Sequence, residues 1–539
     1  MAQAVKTRTG GRLVVETLEA LGAGVVFGVP GIHALAIWEG LRTSSVRTIG
    51  LRTELNAGFA ADGYARTSGN PAVLLLSTGP GALVSLAALM EAATAHVPVV
   101  AIASQIPRDL IGRKRGYLHE LPDQLASFAP VVKWAARAES AEAVPQFLAQ
   151  AWAHALAPPS GPVFLEIPVD VLAGETDAPA KVGAGHAPPA QAATNERLEE
   201  AARLLNEAAR PVLWAGGGAL RSGAWAEVAE LAHRLDAPVA TTYMGKGAFP
   251  ADDLLSVGSA CDEGAFNELL EEADVVLAVG TELGAETTGQ YTLNLSGALI
   301  QIDIAAERIG ASYPALGLVG DARATLAELL PKVNERPRDG AGRAKAVRER
   351  IGHGLDDQDK ELERSLLETI RFAVPENAVT AWDMTILAYW AGAHFPVVAP
   401  RTFLYPLGSG TLGYAWPAAL GASLRPSDSP ALAVVGDGGF LYGTQELAAA
   451  RQYGLDVVVL VVDDGGYGIL REYQRDSFGE TTAVDLEEPD FVALAQAYGV
   501  PAERTTPEEL AAALERAFAH EGPALVHLPA LLRMWSPTA

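Results

Sequence analysis

The stretch Ala431-Leu-Ala-Val-Val-Gly-Asp-Gly-Gly-Phe440 decides the fold class of this chain. Its continuous apolar run is typical of a parallel strand covered on both faces. The glycines that follow let backbone N–H groups approach an anion at a helix start. A helix-like stretch then leads to a second buried strand, Val457 to Val462, which ends in Asp463-Asp464-Gly465-Gly466. Carboxylates therefore follow two strands at the end where α/β sheets bind ligands.

The same alternation of short apolar runs and Ala/Leu/Glu-rich helical stretches continues along the chain, which predicts an α/β protein. Two stretches without apolar periodicity, 173–194 and 333–357, are predicted surface linkers. They divide the chain into predicted domains 1–175, 190–335 and 360–539. Other predicted strands are Val73 to Leu76, Val99 to Ile102, Val212 to Ala215 and Val275 to Val279.

The bulk composition excludes several classes of protein. A formal charge of −25, from 65 acidic and 40 basic residues among 539, argues against nucleic acid or an anionic membrane as a partner. The single cysteine, Cys261, excludes a disulfide scaffold. No apolar run approaches the roughly 20 residues that span a bilayer, and the N-terminus has no signal-peptide core. We expect a cytoplasmic protein.

The two acidic turns point to a divalent cation, because hard cations prefer oxygen ligands and often keep phosphate oxygens as the others. The pattern GDGGF…DDGGYG resembles the signature of thiamine diphosphate-dependent enzymes. The resemblance implies that Mg²⁺ is bound by the side chains of Asp437 and Asp464 and the carbonyl of Gly466. The family usually has two asparagines where this chain has Asp463 and Asp464. The added carboxylate is expected to raise the dependence on the cation.

The resemblance covers all three segments and extends to other parts of a cofactor site. In the segment Pro406 to Gly421, Leu412 matches the apolar residue that bends the cofactor, and the carbonyl of Gly410 would accept from its aminopyrimidine. The family fold implies three doubly wound parallel-sheet domains: pyrimidine-binding, central and diphosphate-binding. The implied cofactor-binding residues are Pro30, Glu54, Thr78, Thr385, Ile386, Gly410, Leu412, Gly436, Asp437, Gly438, Gly439, Asp464, Gly466, Tyr467 and Gly468.

The stretch Thr53 to Arg66 resembles the helix that carries the family's glutamate, and Ser77 to Ala82 resembles the turn that follows it. By that resemblance Glu54 would hydrogen-bond the pyrimidine ring and promote loss of the thiazolium C2 proton. In the family one subunit's pyrimidine domain faces another subunit's diphosphate domain. A homodimer is therefore the implied minimum, and a homotetramer is common.

Residues around the substrate decide the reaction. His33 matches a catalytic histidine of benzaldehyde lyase, and His119 matches the active-site glutamine of acetolactate synthases and benzaldehyde lyase. Gln105 matches a substrate-channel glutamine of acetolactate synthases, so the implied catalytic residues are Glu54, His33, His119 and Gln105. The stretch Gly280 to Gly289 lacks the flavin-contacting arginine of acetolactate synthases, which argues against bound FAD.

We favour decarboxylation of a small-molecule 2-oxo acid, with carboligase capability. The alternative is a carboligase or lyase that acts on a hydroxyketone, similar to acetolactate synthase or benzaldehyde lyase. The stretch Leu118 to Gln124 also resembles decarboxylases of guanidino-substituted 2-oxo acids, in which Glu120 or Asp123 could meet a cationic substrate. A catalytically silent scaffold is disfavoured, because Glu54 and the Gly-Asp-Gly turn are both present.

Overall fold

The computed structural model describes residues 8–180, 189–426 and 429–538. It contains three six-stranded sheets whose strand pairs all run parallel, with helices on both faces. The prediction of an α/β protein with three doubly wound parallel-sheet domains is confirmed. Each sheet lies within one of the predicted ranges 1–175, 190–335 and 360–539, whose boundaries stay a prediction.

The first sheet has the strand order β2-β1-β3-β4-β6-β5. Its strands are β1 Val25–Gly28, β2 Arg47–Gly50, β3 Ala72–Leu76, β4 Val99–Gln105, β5 Trp134–Arg137 and β6 Val163–Pro168. Its helices are α1 Gly10–Ala20, α2 Leu35–Leu41, α3 Glu54–Ser68, α4 Pro80–Leu83, α5 Leu86–Thr94, α6 Gln124–Phe128, α7 Val144–Leu156 and α8 Val169–Ala173.

The central sheet has the order β12-β11-β10-β7-β8-β9, in which the direction of winding reverses between β7 and β10 as in dinucleotide-binding sheets. Its strands are β7 Pro211–Ala215, β8 Val239–Thr241, β9 Ser256–Gly258, β10 Val275–Val279, β11 Ala298–Asp303 and β12 Leu316–Val319. Its helices are α9 Asn195–Glu207, α10 Gly217–Ser222, α11 Trp225–Leu235, α12 Gly264–Glu271 and α13 Ala322–Leu329.

The third sheet repeats the order of the first, as β14-β13-β15-β16-β18-β17. Its strands are β13 Val379–Trp382, β14 Phe403–Leu404, β15 Ala431–Gly436, β16 Val457–Asp463, β17 Ala502–Arg504 and β18 Ala524–Pro529. Its helices, with α14 leading in from the central domain, are α14 Gly340–Asp356, α15 Glu361–Ala373, α16 Ile386–His394, α17 Ala415–Ala422, α18 Asp437–Phe440, α19 Glu446–Tyr453, α20 Gly468–Phe478, α21 Phe491–Ala497 and α22 Leu510–Phe518.

Short 3₁₀ helices complete the secondary structure, at Ile32–Ala34, Arg108–Leu110, Ala141–Ala143, Tyr243–Gly245, Ala285–Thr287, Ala306–Arg308, Leu330–Lys332 and Pro507–Glu509. In the described ranges, no helix combines the length and the apolar character needed to cross a membrane.

The predicted linker 333–357 is wrong over most of its length, because α14 is a 17-residue helix. Ala344, Val347, Ile351 and Leu355 are buried along one side of it. Their spacing of three and four residues makes one apolar stripe, and the charges lie on the other faces. The high charge of this stretch therefore belongs to the exposed faces of an amphipathic helix. Of the other predicted linker, 173–194, residues 181–188 lie outside the described residues.

Backbone contact between α3 and α17 fixes the first domain against the third. A Cβ atom on Gly421 would lie 1.8 Å from the carbonyl oxygen of Ala60, and one on Gly63 would lie 2.1 Å from that of Ala418. Only glycine fits at either place without moving the helices apart. The helix that begins with Glu54 is thereby held against the domain that carries the acidic turns.

Candidate active site

A cavity of about 250 Å³ lies in the third domain, at the carboxyl ends of β15 and β16. All of its lining residues belong to this domain. They include every third-domain residue that the sequence predicted to bind the cofactor: Thr385, Ile386, Gly410, Leu412, Gly436, Asp437, Gly438, Gly439, Asp464, Gly466, Tyr467 and Gly468. The structure therefore brings together turns that are up to 83 residues apart in sequence, from Thr385 to Gly468.

Glycines shape this cavity because side chains already fill the space beside them. A Cβ atom on Gly438 would lie 2.6 Å from the Tyr467 ring, and one on Gly439 would lie 2.7 Å from Asp383 Oδ2. Asp383 is fully buried and accepts the N–H of Gly413 at 3.0 Å, next to Leu412. Burial raises the pKa of Asp383 to about 6. Asp383 thus holds the loop on which Leu412 enters the cavity.

Carboxylates crowd one end of the cavity. Asp437 Oδ2 and Asp464 Oδ1 are buried and have no hydrogen-bond partner among the described residues. Asp437, Asp463 and Glu488 each offer an oxygen, and the three oxygens lie within 4.8 Å of one another. Burial, and then the charge of Asp437, raises the pKa of Asp464 to about 7. Burial and the hydrogen bond with Asp463 raise the pKa of Glu488 to about 8.

Arg471 and His527 lie beside these carboxylates. His527 Nε2 lies 2.7 Å from Asp463 Oδ2, and Arg471 is committed to other partners as well. Its Nε lies 2.8 Å from Asp485 Oδ1, and its Nη2 donates to the carbonyl of Gly465 at 2.7 Å. One guanidinium and one imidazole do not balance four carboxylates, so the cluster favours protons or a cation. An all-oxygen, net negative donor set with orphaned buried oxygens fits a hard divalent cation.

In the first domain, the predicted residues follow neighbouring strands of the sheet. Pro30 and His33 come after β1, Glu54 after β2, Thr78 after β3, and Gln105 ends β4. Because β2, β1, β3 and β4 are adjacent and parallel, these residues meet at one edge of the sheet. None of them lines the third-domain cavity of the same chain. The structure therefore forms two separate groups of predicted site residues.

Glu54 is the first residue of α3. The Thr53 side chain caps the helix by accepting the N–H of Asn56 at 3.2 Å. A Cβ atom on Gly81 would lie 2.8 Å from Glu54 Oε1, so the turn after β3 closely approaches the carboxylate. Burial raises the pKa of Glu54, which brings its proton exchange closer to neutrality.

His33 and His119 lie side by side, with ring centroids 5.4 Å apart in an edge-to-face arrangement. The Nδ1 atoms of both rings are buried and have no hydrogen-bond partner in the part of the chain that the structure describes. Burial, and then the charge of His119, lowers the pKa of His33, which favours the neutral form of that ring. Two rings with free nitrogens can accept and return protons of a bound substrate.

Gln105 points into the interior of the first domain. Its Nε2 donates to Glu166 Oε2 at 3.1 Å, and its Oε1 accepts the N–H of Ile106 at 2.8 Å. Glu166 is fully buried and also accepts from Gln124 Nε2 at 2.9 Å. Gln124 Oε1 in turn accepts the N–H of Gly79 at 2.7 Å. The catalytic role of Gln105 stays a prediction, while Gln124 is tied directly to the turn beside Glu54.

Neither carboxylate considered for a guanidino substrate is free of other partners. Glu120 accepts backbone N–H groups at Gly116 and Tyr117, at 2.7 and 3.1 Å. Asp123 caps α6 by accepting the N–H of Ala126 at 3.0 Å. Both therefore shape the loop that carries His119.

Sequence patterns did not identify Glu488 or Gln124 as parts of the site. Glu488 lies in a polar loop beyond α20, where nothing distinguishes it from its acidic neighbours. Gln124 ends the stretch Leu118 to Gln124, but its contact with Gly79 depends on how β3 and α6 pack. A separate cavity of about 750 Å³ involves Gly217, Arg221 and Asp303 of the central domain. The expectation that this chain does not bind FAD stays a prediction.

Comparison with known proteins places these features in a family. Residues 8–127 match the N-terminal TPP-binding domain of thiamine pyrophosphate enzymes, 198–329 the central domain and 383–528 the C-terminal TPP-binding domain. The chain is 38% identical to the "Probable 2-ketoarginine decarboxylase AruI" of Pseudomonas aeruginosa, over 98% of this chain and 95% of that protein.

Acetolactate synthases are also relatives. The chain is 33% identical to the "Probable acetolactate synthase large subunit" of Methanocaldococcus jannaschii, over 96% of this chain and 91% of that protein. It is 32% identical to the acetolactate synthase large subunit of Corynebacterium glutamicum, over 94% and 84%. The chain therefore belongs to the thiamine diphosphate-dependent enzymes of the acetolactate synthase type, which break or make a carbon–carbon bond next to a carbonyl.

Proposed function

We propose that this enzyme decarboxylates a 2-oxo acid, with thiamine diphosphate held in the third-domain cavity by Mg²⁺, and that it can also ligate the product to a second carbonyl. The observation that carries the proposal is the single cavity around which all twelve predicted third-domain residues lie. A carboligase of the acetolactate synthase type is the second candidate, and it is favoured by the names of two relatives.

Mg²⁺ would be held by Asp437, Asp464 and the carbonyl of Gly466. The raised pKa of Asp464 supports this, because a cation would relieve the repulsion that keeps a proton there. Glu488 lies close enough to Asp437 to serve as a further ligand, directly or through water. A diphosphate would complete the oxygen shell beside the backbone N–H groups of the Gly436–Gly439 turn.

When bound, thiamine diphosphate supplies a nucleophilic carbon and an electron sink for the carbanion left by loss of carbon dioxide. Leu412 would press against it from the loop that Asp383 holds. Glu54 would help to remove the proton whose loss makes the cofactor carbon nucleophilic. A carboxyl group of raised pKa is consistent with this role. His33 and His119 would hold and return protons at the substrate oxygen and at the reacting carbon.

A second copy of the chain would complete the site. Glu54, His33 and His119 lie outside the cavity of their own chain, and a face beside them exposes Ile32, Leu35 and Leu118 at 54–60%. Apolar side chains in such a group favour burial against another surface. We propose at least a homodimer, in which Glu54 of one subunit reaches the cavity of the other, and a homotetramer as its assembly. The cytoplasmic location and the absence of nucleic-acid or membrane partners stay predictions.

The test uses the purified protein with thiamine diphosphate, Mg²⁺ and a panel of 2-oxo acids, with carbon dioxide release measured and products identified by mass spectrometry. The first substrate is 2-ketoarginine, because it appears in the name of the Pseudomonas relative. Aldehydes are expected as the main products. Hydroxyketones as the main products would move the enzyme to the carboligase class. Bound cofactor without carbon dioxide from any acid would contradict the proposal.

A further inference from the structure

One loop of the third domain, residues 405–414, lies between the cavity assigned to the cofactor and the first domain of the same chain. Its Gly410 and Leu412 line the cavity. Gly410 has a φ of 64°, and its N–H donates to the carbonyl of Pro406 at 2.8 Å, so the backbone turns tightly there. We call residues 405–414 the cavity loop. The position of this turn fixes the Gly410 carbonyl, which is predicted to accept from the aminopyrimidine of the cofactor.

Glu91, a fully buried residue on α5 of the first domain, binds the middle of the cavity loop. Its Oε2 accepts the N–H of Ser409 at 2.6 Å and the hydroxyl of the same residue at 2.8 Å. A Cβ atom on Gly408 would lie 2.9 Å from both oxygens of this carboxylate, so the loop backbone runs directly against it. Hydrogen bonds to a charged acceptor are stronger than those to a neutral one. Glu91 therefore fixes the residue that directly precedes Gly410.

Arg66, in the last turn of α3, binds the other oxygen of Glu91. Its Nη2 donates to Glu91 Oε1 at 2.7 Å, and its Nε lies 2.6 Å from Asp62 Oδ1. Its Nη1 donates to the carbonyl of Tyr405, at the start of the cavity loop, at 3.1 Å. Asp62 also accepts the hydroxyl of Tyr414, at the end of the loop, at 2.7 Å. Side chains of the first domain thus hold the cavity loop at its start, its middle and its end.

We propose that Glu91 is a positioning residue, which sets the Gly410 carbonyl for the amino group of the cofactor's pyrimidine ring. The inference rests on the proposed function, in which thiamine diphosphate occupies this cavity. Neither Glu91 nor Arg66 lines the cavity, so Glu91 acts through Ser409. The first domain of a chain then serves two sites. Through Glu91 it serves the cavity of its own chain, and through Glu54 it serves the cavity of the second subunit.

Glutamine cannot replace Glu91 without loss, because both carboxylate oxygens accept from donors. An amide has one acceptor oxygen and an NH₂ group that only donates. In Glu91→Gln, the NH₂ group must face either Arg66 or Ser409, and the hydrogen bond on that side is lost. A buried donor left without an acceptor is unfavourable, so we expect the cavity loop to move.

The experiment measures cofactor affinity with no substrate present. Titration calorimetry of the cofactor-free protein in saturating Mg²⁺ gives the Kd of thiamine diphosphate and of an analogue whose pyrimidine ring lacks the amino group. In the wild-type protein the amino group should lower the Kd by about fivefold or more, as expected for one hydrogen bond to a carbonyl. In Glu91→Gln this ratio should fall to within about twofold. A lesion that only weakened the fold would raise both Kd values by the same factor and keep the ratio.

Two further variants keep the outcomes distinct. Glu328→Gln makes the same substitution at an exposed position of α13 and should keep the wild-type ratio. Glu91→Asp keeps the buried charge but is one methylene group too short to reach both donors, so it should lower the ratio even if Glu91→Gln fails to fold. A wild-type ratio near one, or a wild-type ratio in the folded Glu91 variants, would overturn this inference and leave the decarboxylase function standing. No binding of thiamine diphosphate to the wild-type protein would overturn the proposed function itself.

Discussion

At the scale of single residues, the proposed chemistry uses carboxyl groups whose surroundings oppose ionisation. Glu54 is half-buried at the start of α3 and has a raised pKa. Asp464 has its pKa raised to about 7 by burial and by the charge of Asp437. The first group is suited to exchange protons, and the second is suited to bind a cation. Burial therefore supports the two different roles that we propose for these groups.

Replacement of Glu54 separates its role in proton transfer from its role in the fold. Glu54→Gln keeps the size of the side chain and the Thr53 cap but cannot take up the proton. We expect proton exchange at the C2 carbon of bound thiamine diphosphate to slow by at least about 100-fold. Deuterium exchange followed by NMR measures this, with unchanged circular dichroism as the check on folding. Full decarboxylase activity in the variant would contradict the assigned role.

The buried amine of Lys246 is expected to make the stability of the fold depend on pH. Its amine is buried between the central and third domains, and burial lowers its pKa from 10.5 to about 7. Between these values the unfolded chain binds a proton that the folded protein does not. Stability therefore rises with pH from about 7 toward 10, by at most about 1.4 kcal/mol per pH unit.

Lys246→Met should remove this slope and raise the thermal midpoint at pH 7, because the methionine fills similar space without a charge. Thermal unfolding from pH 6 to 9.5 measures the slope, and Lys345→Met, at an exposed position of α14, serves as the matched control. A slope that persists in Lys246→Met would show that another group titrates in this window.

At the scale of elements, the packing of turns against one another places the site residues. The Gly79 turn meets Glu54 on one side and the carbonyl of His119 on the other, since a Cβ atom on Gly79 would lie 2.5 Å from that oxygen. Gln124 ties the turn to buried Glu166. A small shift of this turn would therefore move both of the groups proposed to transfer protons.

Gln124→Ala tests this positioning. We expect kcat to fall by about tenfold or more, because small displacements of reacting groups strongly lower rates. The KM should change little, since Gln124 does not line the cofactor cavity. Steady-state kinetics separates the two parameters, and Gln150→Ala on α7 is the control. A loss confined to KM, or no loss at all, would show that the turn is held without Gln124.

Some elements of the fold and site can be predicted from local sequence patterns, whereas others depend on long-range packing. Buried strands such as β15 and β16 are local signals, because continuous apolar runs record burial on both faces. The glycine-rich acidic turns were recognisable because their spacing spans one strand–helix–strand unit. Glu488 and Gln124 carried no local signal, since each reaches the site only through long-range packing. The stripe of α14 was present in the sequence but was obscured by its charges.

At the scale of the whole molecule, the chain holds its two groups of site residues apart. The contact of α3 with α17, and the bonds of Glu91 to the N–H and hydroxyl of Ser409 at 2.6 and 2.8 Å, fix the first domain to the third. These contacts leave Glu54 outside the cavity of its own chain. We therefore expect each active site to need two chains.

The most direct test combines two inactive variants in one oligomer. Glu54→Gln and Asp437→Ala chains are co-expressed with different affinity tags, and mixed dimers are isolated by two purification steps. If the sites lie between chains, one site of each mixed dimer has both lesions and the other has none, so about half of wild-type activity is expected. If each chain carried its own site, both sites would have one lesion. The absence of activity in folded mixed dimers would therefore contradict a site shared between two chains.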